Sequence, residues 1–123
     1  MARPVIAAFV VTDGRTNVLK RTIASFLENV GPVDELYLYD DSGVEGVRKL
    51  ILGRHPEFEL IRHPSGERQG FGGAIRTVWQ HLRDHSEADY IFHLEDDFTF
   101  NHSVDLLDLK TILDYRPHLA QVA

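Results

Sequence analysis

Cysteine is absent from this 123-residue chain, which excludes disulfides, zinc–thiolate sites and cysteine nucleophiles. Basic residues are scarce: 13 Lys and Arg against 19 Asp and Glu give a formal net charge of −6. A broad nucleic-acid-binding surface needs a basic face, so nucleic acid is not an expected partner. A local basic pocket for one phosphate group stays compatible with the balance. No stretch approaches the roughly 18 consecutive apolar residues of a membrane span. Met1-Ala2-Arg3-Pro4 followed by Val5 to Val11 echoes a signal peptide. The run is short, however, and Thr12-Asp13-Gly14-Arg15 follows without a small-residue cleavage pattern. A cytoplasmic chain is therefore expected, in which the Asn101-His102-Ser103 sequon carries no meaning. The seven histidines read as lacking both an HExxH motif and a paired spacing, and no Ser-His-Asp or nucleophile-elbow pattern occurs.

What remains is an ordinary globular composition, 43% hydrophobic and 26% charged, at a length that suits one domain over residues 1–123. Val5 to Val11 is a continuous apolar run rich in β-branched residues, the pattern of a strand buried on both faces. Apolar residues then recur at helical spacing from Asn17 to Val30, where Gly31-Pro32 ends the segment. Further strands are expected at Glu35 to Tyr39, Phe58 to Arg62 and Tyr90 to Leu94, with helices at Val44 to Gly53, Ala74 to His85 and Ser103 to Tyr115. Leu119 to Ala123 reads as the start of another strand. Strands alternating with helices imply a mostly parallel sheet with helices on its faces, a three-layer α/β/α sandwich. Right-handed crossovers then bring all strand ends to one edge, where ligands of such sheets bind.

Polar clusters follow those strand ends. Glu95-Asp96-Asp97 places three adjacent carboxylates after an apolar strand, and a hard cation such as Mg²⁺ or Mn²⁺ would relieve their repulsion. Side chains alternate in extended backbone, so Glu95 and Asp97 share a side. A solvated acidic turn is the competing explanation. Asp40-Asp41 also follows a strand and suits a ribose hydroxyl or a base N–H, while Asp-Ser-Gly is equally ordinary turn and helix-capping chemistry. Gly70-Phe71-Gly72-Gly73 permits close backbone approach to a ligand or tight helix packing. It is neither a Rossmann fingerprint nor a P-loop. Arg15, Arg68 and Arg76 lie near the expected edge and would offset diphosphate charge, unless they are simply solvated. His93, inside a strand pattern, reads as a packed histidine rather than a ligand.

Together these motifs resemble the GT-A glycosyltransferases, the large family-two type in particular. Thr12-Asp13-Gly14-Arg15 after the first strand looks like that family's first nucleotide loop. Tyr39-Asp40-Asp41-Ser42-Gly43 resembles its Asp-Asp-Gly-Ser element. Gly70-Phe71-Gly72-Gly73-Ala74 resembles the glycine run of rhamnosyltransferase-like members, and Tyr90 to Asp97 the strand ending in the D-x-D motif. The sequence departs at Arg68, where Asn is usual, at Ile75-Arg76, and at Glu95, which stands for the first Asp of D-x-D. The resemblance implies a Rossmann-like GT-A domain that binds a nucleoside diphosphate-sugar of UDP, GDP or TDP type. It implies Mn²⁺ or Mg²⁺ held by Asp97 and Glu95, with Asp96 beside them. Thr12, Asp13, Arg15, Asp40, Asp41, Gly70, Gly73, Arg76 and Asp96 are then the donor-binding set. The family's acceptor half and general base lie beyond the matched region, so the chain is expected to be truncated, with a second copy or a partner chain covering the missing half. Two rivals stand beside this reading: a nucleotide-binding module without turnover, and a Mg²⁺-dependent phosphatase or nucleotidyltransferase.

Overall fold

The structure, a computed structural model, describes residues 3–116. The strand expected at Leu119 to Ala123 lies outside the described residues. Strand β1 (Ile6–Thr12) leads to helix α1 (Thr16–Asn29), a short strand β2 (Val30–Gly31), strand β3 (Glu35–Asp40) and helix α2 (Glu45–Arg54). Strand β4 (Glu59–Ile61), helix α3 (Gly70–His85), strand β5 (Tyr90–Glu95), a short β6 (Val104–Asp105) and helix α4 (Leu106–Tyr115) follow.

The expected α/β architecture is present. Four strands form one sheet in the order β4-β3-β1-β5, and every pairing in it is parallel. β1 and β3 are the interior strands and are covered on both faces, β1 most completely: Ile6 to Val10 are all within 2% of complete burial. Its alternating side chains divide the core in two. Ile6, Ala8 and Val10 join Leu19, Ile23 and Phe26 of α1, Ile51 of α2 and Leu106 of α4. Ala7 and Phe9 join Tyr37 and Tyr39 of β3 and Ala74, Val78 and Leu82 of α3 on the opposite face. Burying one such aromatic or aliphatic side chain contributes about 1.5–3 kcal/mol.

Two features depart from the sequence expectation. α3 begins at Gly70 rather than Ala74, so the glycine-rich segment is the helix's first turn and not a loop leading into it. The last helix begins at Leu106 instead of Ser103, because Val104 and Asp105 pair with Val30 and Gly31 in a second, two-stranded parallel ladder. Asp105 then caps α4 by accepting a hydrogen bond from the Leu107 N–H at 2.9 Å.

The topology creates the ligand edge. From β1 the chain moves to β3 and then β4 on one flank, and α3 carries it back to lay β5 on the other flank of β1. This reversal opens a crevice at the carboxyl ends of β1 and β5, the switch point at which open α/β sheets bind ligands. Val11 pairs with both Tyr39 and Glu95, so the loops after β1, β3 and β5 start level with one another.

Candidate functional site

At that edge lies an open cleft of about 230 Å³, lined by Val11, Thr12, Asp13 and Arg15 from the end of β1 and the loop after it, Glu95 and Asp96 from the end of β5, Asp41 after β3, and Arg68 and Phe71 from the segment before α3 and its first turn. Residues from three strand ends, distant in sequence, do converge here.

Asp96 is the hub of the cleft floor. It is 4% exposed. Its Oδ2 accepts a hydrogen bond from the Thr12 hydroxyl at 2.9 Å and a longer one from the Asp13 N–H at 3.4 Å, and its Oδ1 accepts from the Arg15 guanidinium. From α1, the Thr22 hydroxyl donates to the Asp96 carbonyl at 2.7 Å. The hydrogen bond to Asp96, and then its charge, hold Arg15 above the ordinary arginine pKa. Asp96 thus ties the β5 end to the β1 loop. Nothing in the sequence pattern of α1 singles out Thr22.

The two flanking carboxylates behave differently. Glu95 lines the cleft, and among the described residues its carboxylate accepts no hydrogen bond. Asp97 stands at the rim with its side chain half exposed, 3.9 Å from the Arg15 guanidinium. No group of three or more His, Asp or Glu side chains among the described residues is arranged to hold a metal ion. A hard cation such as Mg²⁺ instead fits one or two carboxylates, with water and substrate phosphate completing its shell. β5 ends at Glu95 and Asp97 lies in the turn after it, so the extended alternation expected to set these two on one side stops at Glu95, while Asp96 is committed to Thr12 and Arg15.

Asp40 and Asp41 face different tasks. Asp40 is buried outside the cleft lining. Its Oδ1 accepts from the Ser42 N–H at 2.9 Å, and its Oδ2 from the Ser42 hydroxyl at 2.9 Å. The Arg48 guanidinium lies 3.5 Å from that Oδ2, with both side chains almost wholly enclosed. Asp41 does line the cleft, but its carboxylate also caps α3 by accepting from Gln69 N–H at 2.8 Å and Gly70 N–H at 3.0 Å. Negative charge there complements the helix dipole. Burial, and then the Asp41 charge, push the Tyr39 phenol above its ordinary pKa. The sequence weighed a ligand role against turn chemistry for this pair; the observed bonds are those of turn and cap.

Of the remaining sequence candidates, Gly70 contributes that capped N–H, and Gly73 and Arg76 are not among the cleft-lining residues. A Cβ on Gly73 would meet the Gln69 Cβ at 2.7 Å, so this glycine serves the packing of the helix start. Arg76 is exposed on α3. The cleft's second cation is Arg68. Its guanidinium forms a forked pair with Asp13, Nη1 to Oδ1 at 2.8 Å and Nη2 donating to Oδ2 at 3.0 Å. Phe71 adds an aromatic ring, 63% exposed, at the same cleft. Its first-turn position on α3 was hidden while the glycine segment read as a loop.

Among the described residues, no histidine lines the cleft. His93 stacks on Phe9 with ring centroids 4.5 Å apart, and partial burial lowers its pKa. The expectation of no paired histidines is corrected on α3, where His81 and His85, four residues and about one helical turn apart, bring their rings to 4.6 Å. Compared with protein-family models and with curated proteins, the chain matches none.

Proposed function

We propose that this chain is the donor-binding half of a glycosyltransferase of GT-A type, holding a nucleoside diphosphate-sugar in the cleft between β1 and β5. The observation that carries the reading is that one cleft at the switch point is lined by two arginines and by Glu95, a carboxylate not consumed by internal hydrogen bonds, with Asp97 at the rim 3.9 Å from the Arg15 guanidinium. Arginine forks match phosphate oxygens, and Glu95 and Asp97 are the carboxylates that would hold Mg²⁺ or Mn²⁺. When bound, such an ion acts as a Lewis acid that stabilises the departing diphosphate. Arg15, anchored by Asp96, fixes positive charge beside Asp97 at the phosphate end. Asp41 and Phe71, on the other side of the cleft, suit the nucleoside: the carboxylate accepts from a ribose hydroxyl and the ring offers a stacking face.

One observation favours a binding-only variant of this reading. An acceptor hydroxyl is normally deprotonated by a carboxylate. In the free protein the carboxylates of the described cleft lining are all committed: Asp13 is paired with Arg68, Asp41 caps α3, Asp96 is sealed, and Glu95 is assigned to the metal. Donor binding without transfer is then the expected behaviour of the chain alone, and a partner chain or further domain would supply the base.

Calorimetric titration with UDP, GDP and TDP, with and without Mn²⁺, tests the proposal. Metal-dependent binding of one nucleotide, abolished in Asp97→Ala, is the expected result. Failure of all three to bind under either condition would overturn it.

A further inference from the structure

Resting on that reading, we infer that Asp13 is a built-in competitor for the donor's diphosphate: it holds the Arg68 guanidinium in the free protein and yields it to phosphate on binding. The pair bridges the loop after β1 and the segment before α3, both of which line the cleft. Its geometry is that of a bidentate fork, and a fork that fits a carboxylate also fits two phosphate oxygens.

Three observations separate Arg68 from the other cleft cation. First, both partners of its ion pair are roughly half exposed, at 59% and 47% of the side chain, so water stabilises Asp13 when the pair opens. Arg15 is instead tied to a carboxylate only 5% exposed, whose release would strand a buried charge. Second, the backbone of Arg68 is held while its side chain stays free to swing. Gly43, at φ +72°, lies so close that a Cβ there would meet the Arg68 nitrogen at 3.2 Å, and the next two N–H groups are fixed on Asp41. Third, the lining carries four carboxylates, Asp13, Asp41, Glu95 and Asp96, against two arginines. A diphosphate entering this field meets net negative charge unless a cation is transferred to it. Arg68 is the cation whose transfer costs least, and Asp13 opposes that transfer twice, by pairing with Arg68 and by repelling the ligand.

The prediction inverts the usual effect of altering a residue in a binding cleft. Asp13→Asn should tighten pyrophosphate and nucleoside diphosphate binding by about fivefold, the scale of an exposed ion pair. Arg68→Ala should weaken both, and adding Asp13→Asn to Arg68→Ala should tighten binding by less than it does in the wild type, because only the repulsion is then left to remove. Calorimetry with inorganic pyrophosphate and with UDP, GDP and TDP, each with Mn²⁺, reads all four proteins. If a nucleotide binds but Asp13→Asn leaves affinity equal or weaker, the competitor role is wrong while the donor site stands. The same holds if Arg68→Ala binds like the wild type. If neither the wild type nor Asp13→Asn binds pyrophosphate or any nucleotide, the donor-site reading itself fails, and the inference with it.

Discussion

Arg15 lays its guanidinium on Asp96, a carboxylate sealed beneath the cleft, and extends to within 3.9 Å of Asp97 at the rim. Adjacent carboxylates in one acidic run therefore sit in opposite surroundings, one sealed and one half exposed, and substitution should separate them. Asp96→Ala leaves the buried Thr12 hydroxyl without its acceptor and unties the β5 end from the β1 loop. A loss of about 2 kcal/mol is expected, visible as a lower urea midpoint at unchanged slope. Asp97→Ala should stay within about 0.5 kcal/mol of wild type while losing metal-dependent nucleotide binding. Equal stability loss in both variants would contradict the division.

The Arg48–Asp40 pair is enclosed, and Arg48 also donates to the Gly66 carbonyl at 2.8 Å. Removing one partner of a buried pair leaves a charge without compensation, so Arg48→Met should destabilise by about 3 kcal/mol. Arg48→Met combined with Asp40→Asn should recover much of that loss in chemical denaturation. A double variant no more stable than the single one would show that packing, not charge, is what Arg48 supplies.

Phe71 is too exposed to support the core. Phe71→Ala should leave the thermal midpoint close to wild type, yet weaken nucleoside diphosphate binding by about 1–3 kcal/mol if its ring stacks on the base. Pyrophosphate, which has no base, should bind the variant and the wild type alike. A parallel loss for pyrophosphate would place Phe71 at the phosphates instead.

Burial lowers the pKa of His55, at the end of α2, and of His93 on β5. In the unfolded chain both titrate near about 6.5. Between their lowered folded values and that point the unfolded chain binds more protons, so stability rises with pH through this window and is fully present above it. As pH falls through the window the contribution is lost. The urea midpoint should be lower near about pH 5.5 than near about pH 7.5, and a His55→Leu/His93→Phe variant should show a smaller difference. An unchanged difference would assign the slope to other groups.

The alternation of the four main-sheet strands with helices, the buried central strand and the edge on which polar residues gather were legible in the sequence, while the short β2–β6 ladder was not. In a parallel sheet every strand ends on the same edge, so apolar runs closed by Thr12-Asp13, Asp40-Asp41 and Glu95-Asp97 assemble there whatever the packing details. The tertiary structure alone decided what each of those side chains is free to do. Asp96 is committed to Thr12, 84 residues away, and Asp41 to Gln69, 28 residues away. Asp40 is enclosed with an arginine from the next helix. The start of α3 likewise depended on Asp41, because a carboxylate from another loop caps the glycine segment and lets it enter the helix. Local pattern reports which face a residue occupies. Whether its charge is spent depends on burial and on partners that only the folded chain brings within reach.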